Sequence, residues 1–125
     1  MGVSMTRGGN TRKTGARYEL LAAVHLEKCG YHIIEKNYRC RIGEIDLVAC
    51  DGAYLVFVEV KYRSQNRAGY SLDAVNPAKQ KKISKVARYF LAAEYHCTEI
   101  PCRFDVIGID GGCLHWIKDA FGFCI

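Results

Sequence analysis

Apolar residues recur at helical spacing early in the chain, where Tyr18, Leu21, Ala22, His25, Leu26 and Cys29 fall on one stripe. Thr14 suits an N-cap and Gly30 a C-terminal stop, so the pattern predicts a first helix over 14–29. The period then changes to two. Residues 31–38, 44–50 and 54–62 read as strands, the last two joined across an Asp51-Gly52 turn signal. A polar stretch, 63–75, reads as a loop. Asn76-Pro77 then opens a long helix to about Tyr95, with proline in the first turn, where its missing N–H is not needed. Residues 103–109 and 113–118 supply two further strands around Asp110-Gly111-Gly112. This order predicts an α/β fold, a single domain with a mixed central β-sheet flanked by helices, most simply a three-layer sandwich. The third strand, second helix and fourth strand form a candidate βαβ crossover.

Two strands break their own pattern. The third reads Leu55-Val56-Phe57-Val58-Glu59-Val60-Lys61, nearly continuous apolar sequence as in a strand buried on both faces, interrupted by two charges two residues apart. Period two sets Glu59 and Lys61 on one face. Burying them costs several kcal/mol of desolvation unless they pair or bind something. The preceding strand repeats the anomaly with Glu44 and Asp46. A two-residue hairpin loop sets Asp46 opposite Phe57, and a four-residue loop sets it opposite Glu59. In either register Asp46 and Glu59 share a face, with β-carbons roughly 5 to 8 Å apart. Two carboxylates at that range invite a hard divalent cation such as Mg²⁺, held by one or two carboxylates, waters and phosphate oxygens. Lys61 could then orient water or stabilise charge developing on phosphorus. The plainer alternative is a structural ion pair between Glu59 and Lys61, with Asp46 paired to Arg39 or Arg41. Glu19 lies about 20° round the helical wheel from Leu26 at ~100° per residue, so it either points over the sheet at the same site or snorkels to solvent.

Composition narrows the class. At 125 residues, half of them apolar, the chain is one domain's worth with enough core to fold unstapled. No apolar run reaches the roughly 20 residues needed to span a bilayer, so no membrane partner is expected. The seven cysteines form no Cys-x-x-Cys pair, which argues against a zinc knuckle or thioredoxin-like site and suits a reducing compartment. The first residues lack the apolar stretch of a signal peptide, and a cytoplasmic location is the expectation. Of the formal net charge of +5, Arg7, Arg12, Lys13 and Arg17 precede the first acid, Glu19. Residues 1–13 therefore read as a flexible basic tail, and 14–125 as the domain. The second helix adds Lys79, Lys81, Lys82, Lys85 and Arg88 on its polar face, either a track for a nucleic-acid backbone or a solvated helix face. Lys79 lies in the first turn, where free N–H groups favour anions. Tyr62 and Tyr70 flank the polar loop and could stack on bases or simply pack. The four histidines show no ligand spacing.

These elements together carry a resemblance. Gly15-x-x-x-Glu19, Asn37-Tyr38-Arg39, Gly43-Glu44-Ile45-Asp46-Leu47-Val48-Ala49, Val56-Phe57-Val58-Glu59-Val60-Lys61-x-Arg63, Ala74-Val75-Asn76-Pro77-x-Lys79-Gln80 and Arg103-Phe104-Asp105-Val106 resemble the bacterial YraN family, from Gly15 to about Phe121. That family is placed in the restriction-endonuclease-like, PD-(D/E)XK, nuclease superfamily, and the helix glutamate, GEIDL and EVK elements are similar to those of archaeal Holliday-junction resolvases. The resemblance implies a restriction-endonuclease-like core with Glu19, Asp46, Glu59 and Lys61 in the active-site places and Gln80 in the helical glutamine place.

The resulting expectation is a metal-dependent endonuclease-like phosphodiesterase acting on DNA, on branched or processed intermediates in particular. Asp46, Glu59 and Glu19 would hold Mg²⁺ or Mn²⁺, Lys61 would position water, and Gln80 would help orient the site. Lys79, Lys82, Arg63, Arg12 and Lys13 are the candidate nucleic-acid contacts, and a homodimer is an allowed assembly. A non-catalytic nucleic-acid-binding module and a protein-interaction scaffold are the rival readings.

Overall fold

The computed structural model describes residues 7–63, 75–97 and 99–123, with side chains from residue 15 onward and Arg63 excepted. In chain order the elements are α1 (Arg7–Lys28), β1 (His32–Arg39), β2 (Glu44–Cys50), β3 (Leu55–Arg63), α2 (Pro77–Phe90) with a π-helical turn at Leu91–Tyr95, β4 (Cys102–Asp110) and β5 (Cys113–Phe121). The five strands form one sheet in the order β1-β2-β3-β4-β5, with only β3 and β4 parallel. Parallel neighbours need a crossover, and α2 lies within it. The expected mixed α/β sheet is therefore what forms.

Burial follows the strand alternation and creates two cores. Leu55 and Phe57 of β3 face α2, packing with Ile83, Val86, Ala87 and Phe90. Val56 and Val58 face α1, packing with Ala22, Ala23 and Leu26. A layer of apolar side chains thus sits on each side of the sheet, which makes a three-layer sandwich. Phe57 anchors the α2 side, 5.4 Å from Phe104 in a stacked pair and 5.8 Å from Phe90 edge to face. Such pairs contribute about 0.5–1.5 kcal/mol each beyond area burial. On the other side two alanines, both almost fully buried, bring α1 close to the sheet.

Several boundaries differ from the sequence expectation. Helix α1 begins at Arg7, so Thr14 lies inside it rather than capping it, and residues 7–13 of the expected tail are helical. Gly8, Gly9 and Asn10 are weak helix formers, which is why the pattern placed the start later. Its inward stripe runs through Tyr18, Glu19, Ala22, Ala23 and Leu26, while Leu21 is exposed and Ala23 takes the inside place assigned to it. Gly30, at φ 93°, ends the helix by donating to Glu27, with Tyr31 donating to Leu26. At its own start, α2 matches the expectation. Asn76 Oδ1 accepts from the Lys79 N–H at 2.9 Å and Pro77 occupies the first helical position. Among the described residues no helix is long and apolar enough to cross a membrane.

A buried ion network fixes the end of the sheet where β4 begins. Asp105, almost fully buried, accepts from Arg103 Nε at 2.9 Å and Nη2 at 3.0 Å, from Trp116 Nε1 at 2.9 Å and from the Asp119 N–H at 2.9 Å. Arg103 also reaches Asp51 at 3.1 Å and the Tyr31 hydroxyl at 2.7 Å. Asp51 in turn accepts from Ala53 and Tyr54 in the β2–β3 turn, and these backbone donors, followed by Arg103, hold its carboxyl below the usual range. The Arg-Phe-Asp-Val motif is thus a structural clamp tying β4, β5, the hairpin turn and Tyr31, just before β1, together.

Candidate functional site

The hairpin loop settles the register. Its ladder pairs Cys50 with Leu55 and Leu47 with Val58, so four residues, Asp51 to Tyr54, form the loop rather than two. The next step of that register sets Asp46 against Glu59. There the ladder ends, and the Asp46 carboxylate takes over as acceptor for the Val60 N–H at 2.8 Å. On the neighbouring strand Asn37 adopts the left-handed conformation, φ 54°. β2 is irregular at this level: Ile45 packs in the α2-side core and Leu47 in the α1-side core, so alternation is interrupted at Asp46. This local opening lets groups from both helices meet between the strands.

A cavity of about 780 Å³ opens at that point. α1 lines it with Gly15, Tyr18 and Glu19, β2 with Glu44 and Asp46, β3 with Glu59, Lys61 and Tyr62, and α2 with Lys79, Lys82 and its capping Asn76. Asp46 and Glu59 sit deepest, each 7 % exposed. Glu59 Oε2 pairs with Lys79 at 2.8 Å and with Lys61 at 3.4 Å. Arg39, an alternative partner considered for Asp46, pairs instead with Glu44 at 2.9 Å. Gly43, just before β2, packs closely against α2, since a β-carbon there would meet Lys82 at 3.3 Å and Val86 at 3.4 Å.

Electrostatics at the site are strongly perturbed. Burial, followed by repulsion from Glu59, pushes the Asp46 carboxyl up to about 8. The Val60 N–H opposes this but does not outweigh it. Burial also raises Glu19, offset in part by hydrogen bonds from Asn37 and Asp46. Glu19 and Asp46 are thus neighbouring acids, each holding its proton to higher pH than an ordinary carboxyl. Lys61 is lowered, first by burial and then by the neighbouring Lys79. Burial pulls Lys79 down as well, but the Glu59 carboxylate reverses the direction and its net change is upward. Shifts set by burial and by specific charged partners are a feature shared by functional sites and by buried ion-pair networks.

Of the residues singled out from sequence, Glu19, Asp46, Glu59, Lys61, Lys79 and Lys82 are brought together. Gln80 is not among the cavity residues: its side-chain amide donates to the Val75 carbonyl at 3.1 Å and closes the start of α2. Arg12 and Lys13 lie within α1 and Arg63 ends β3, but their side chains, and Tyr70, fall outside the described residues. Sequence reasoning missed two features. One is Lys79 as the nearer partner of Glu59. The other is the stack of Tyr62 on Tyr18, centroids 4.0 Å apart, at the cavity rim. Their signals were the helix-start position of Lys79 and the even-numbered place of Tyr62 on the α1-facing side of β3.

The fold and this recess define a class: a single-domain, three-layer α/β protein with an acidic–basic cluster where a central hairpin splays. The chain belongs to the YraN family, residues 18–109 matching the model described as "Uncharacterised protein family UPF0102". It is 45% identical to a UPF0102 protein of Chlorobium chlorochromatii over 94% of this chain and 97% of that one. It is 43% identical to one of Lachnoclostridium phytofermentans over 90% and 95%. For one of Stutzerimonas stutzeri the figures are 42% over 89% and 96%.

Proposed function

We propose that the chain is a divalent-metal-dependent phosphodiesterase of the nuclease type, acting on DNA, with a restriction-endonuclease-like core. The observation that carries this reading is the meeting of Asp46, Glu59 and Glu19 with Lys61 in one recess, where burial and Glu59 hold Asp46 near 8. A carboxyl kept protonated by burial and a like-charged neighbour would give up its proton to solvent when a cation binds in its place, so the arrangement suits an ion-binding site. The donors are all hard oxygens. Among the described residues no group of three or more His, Cys, Asp or Glu is spaced to hold an ion alone. Mg²⁺ or Mn²⁺ would therefore be retained by Asp46 and Glu59, with Glu19 acting through water and phosphate oxygens completing the shell. Bound there, the ion would polarise the scissile phosphodiester and neutralise its charge.

The chain's own groups account for the rest. Lys61 Nζ, its affinity for a proton lowered by burial, orients the attacking water and stabilises charge developing on phosphorus. Lys79 and Lys82, on the first turns of α2, hold the flanking phosphates. The test is cleavage of linear, flapped and four-way DNA with Mg²⁺ or Mn²⁺ against a chelator control. Metal-dependent cleavage of any of them supports the reading, and inertness of all three sinks it.

One observation favours a second reading. Glu59 already has two lysine partners, as a self-sufficient ion cluster would. A nucleic-acid-binding module without catalysis would bind the same panel with no requirement for a divalent ion.

A further inference from the structure

The rim of the cavity carries an aromatic pair that the phosphodiesterase chemistry does not use. Tyr62 and Tyr18 stack at 4.0 Å with planes 19° apart, and both line the cavity beside Lys61 and Glu59. Tyr62 follows Lys61 directly on β3 and is 38 % exposed, a large aromatic side chain held in a fixed orientation yet open to solvent. On the opposite wall Lys82 lines the cavity, and Lys85 stands exposed one helical turn further along α2. The deep carboxylates and the rim are therefore framed by an aromatic platform on one side and a short run of ammonium groups on the other.

That pairing has a specific chemical meaning. An aromatic ring recognises a nucleobase only when the base is unstacked and its π-face is free. Lysines one turn apart on a helix recognise a phosphate backbone of either kind. A cavity of about 780 Å³ is the size of a small-ligand pocket, with room for a nucleotide or two, and Asp46 and Glu59 lie at its floor. A phosphate reaches that floor most readily from a strand whose adjacent base is splayed away from its partner. We infer that Tyr62, braced by Tyr18, is a base-stacking residue that selects substrates with an unpaired nucleotide next to the bound phosphate, the backbone running over Lys82 and Lys85. The inference rests on the nucleic-acid reading of this cavity and narrows it from DNA in general to single-stranded, flapped or frayed strands.

The experiment measures binding in EDTA, where no cleavage is needed, by fluorescence anisotropy. The probes are an oligonucleotide single strand, a duplex with an unpaired tail, a blunt duplex of equal length and a mononucleotide. Wild type is expected to bind the single strand and the tailed duplex at least about tenfold tighter than the blunt duplex. Y62A is expected to lose roughly five- to a hundredfold on the unpaired probes, the range for one stacked base. Its affinity for the blunt duplex should hardly change. Y62F should retain the preference, since stacking needs the ring and not the hydroxyl. Y62L, which keeps apolar bulk against Tyr18, should lose it, and guards against reading a folding defect as lost recognition. Equal affinity of wild type for blunt and tailed duplex overturns the inference. So does a Y62L that keeps the preference, and so does a mononucleotide bound as tightly as the strand. Failure to cleave with metal would overturn the nuclease reading alone, whereas loss of the strand preference would overturn only the role of Tyr62.

Discussion

Replacing Asp46 with asparagine keeps the shape of the side chain and its capacity to accept from the Val60 N–H, while removing its titration. In the folded protein this carboxyl titrates at about 8 against an ordinary 3.8, raised by burial and then by Glu59. The sign follows from proton linkage. Between those two values the folded chain holds a proton that the unfolded chain has released, so stability falls as pH rises. The contribution is fully present below about 3.8, declines through the interval and is gone above about 8. An interval of about four pH units at 1.36 kcal/mol per unit sets a ceiling of roughly 6 kcal/mol. Interaction with Glu19, itself raised, reduces what one substitution recovers. Asp46→Asn should therefore flatten the decline, so that wild type loses at least about 1 kcal/mol more than the variant between pH 5 and 8. Urea unfolding at a series of pH values in EDTA measures this directly, because titrating groups outside the cavity contribute alike to both proteins. Parallel stability profiles for wild type and Asp46→Asn would refute the reasoning, and would mean that Asp46 ionises as an ordinary carboxylate.

Two further outcomes follow. Mg²⁺ or Mn²⁺ should raise the melting temperature of wild type by several degrees, since an ion at a hundredfold excess over its Kd stabilises by about 2.7 kcal/mol, and Asp46→Asn should abolish the rise in differential scanning fluorimetry. Arg103→Ala should destabilise the fold by about 3–5 kcal/mol in urea, because Asp105 would remain buried without its cation, while metal binding at the cavity persists in the folded fraction.

Much of the site was legible because strands report faults in their own periodicity. Glu59 and Lys61 could not sit in a doubly buried strand without a reason, and the parity of the hairpin alone set Asp46 on the same face. The choice between the two registers was not legible: Asp51-Gly52 signals a tight turn, but the Asp51 carboxylate binds two backbone donors and widens the loop to four residues. Lys79 was read as an anion-binding helix-start residue, yet it reaches across to Glu59, a contact that depends on how α2 packs and that no local pattern encodes. Glu19 was placed at the edge of the α1 stripe on the assumption that Leu21 is inside. The helix is rotated so that Ala22 and Ala23 meet the sheet, which moves Glu19 inward. The Arg103–Asp105 clamp shows the opposite case. Its motif was visible, but only the three-dimensional partners Tyr31, Asp51 and Trp116 reveal that it is structural.

The central claim is that Asp46 and Lys61 serve one ion-dependent reaction in different ways. It is tested most directly by measuring Mn²⁺ binding calorimetrically and DNA cleavage in the same preparations of wild type, Asp46→Asn and Lys61→Ala. The account predicts that wild type binds the ion and cleaves. Lys61→Ala should bind it with similar affinity and cleave at least about a hundredfold more slowly, in keeping with the loss of a group that stabilises developing charge. Asp46→Asn should lose ion binding and cleavage together. Folded Asp46→Asn protein that cleaves as fast as wild type, or wild type that neither binds Mn²⁺ nor cleaves, would contradict it.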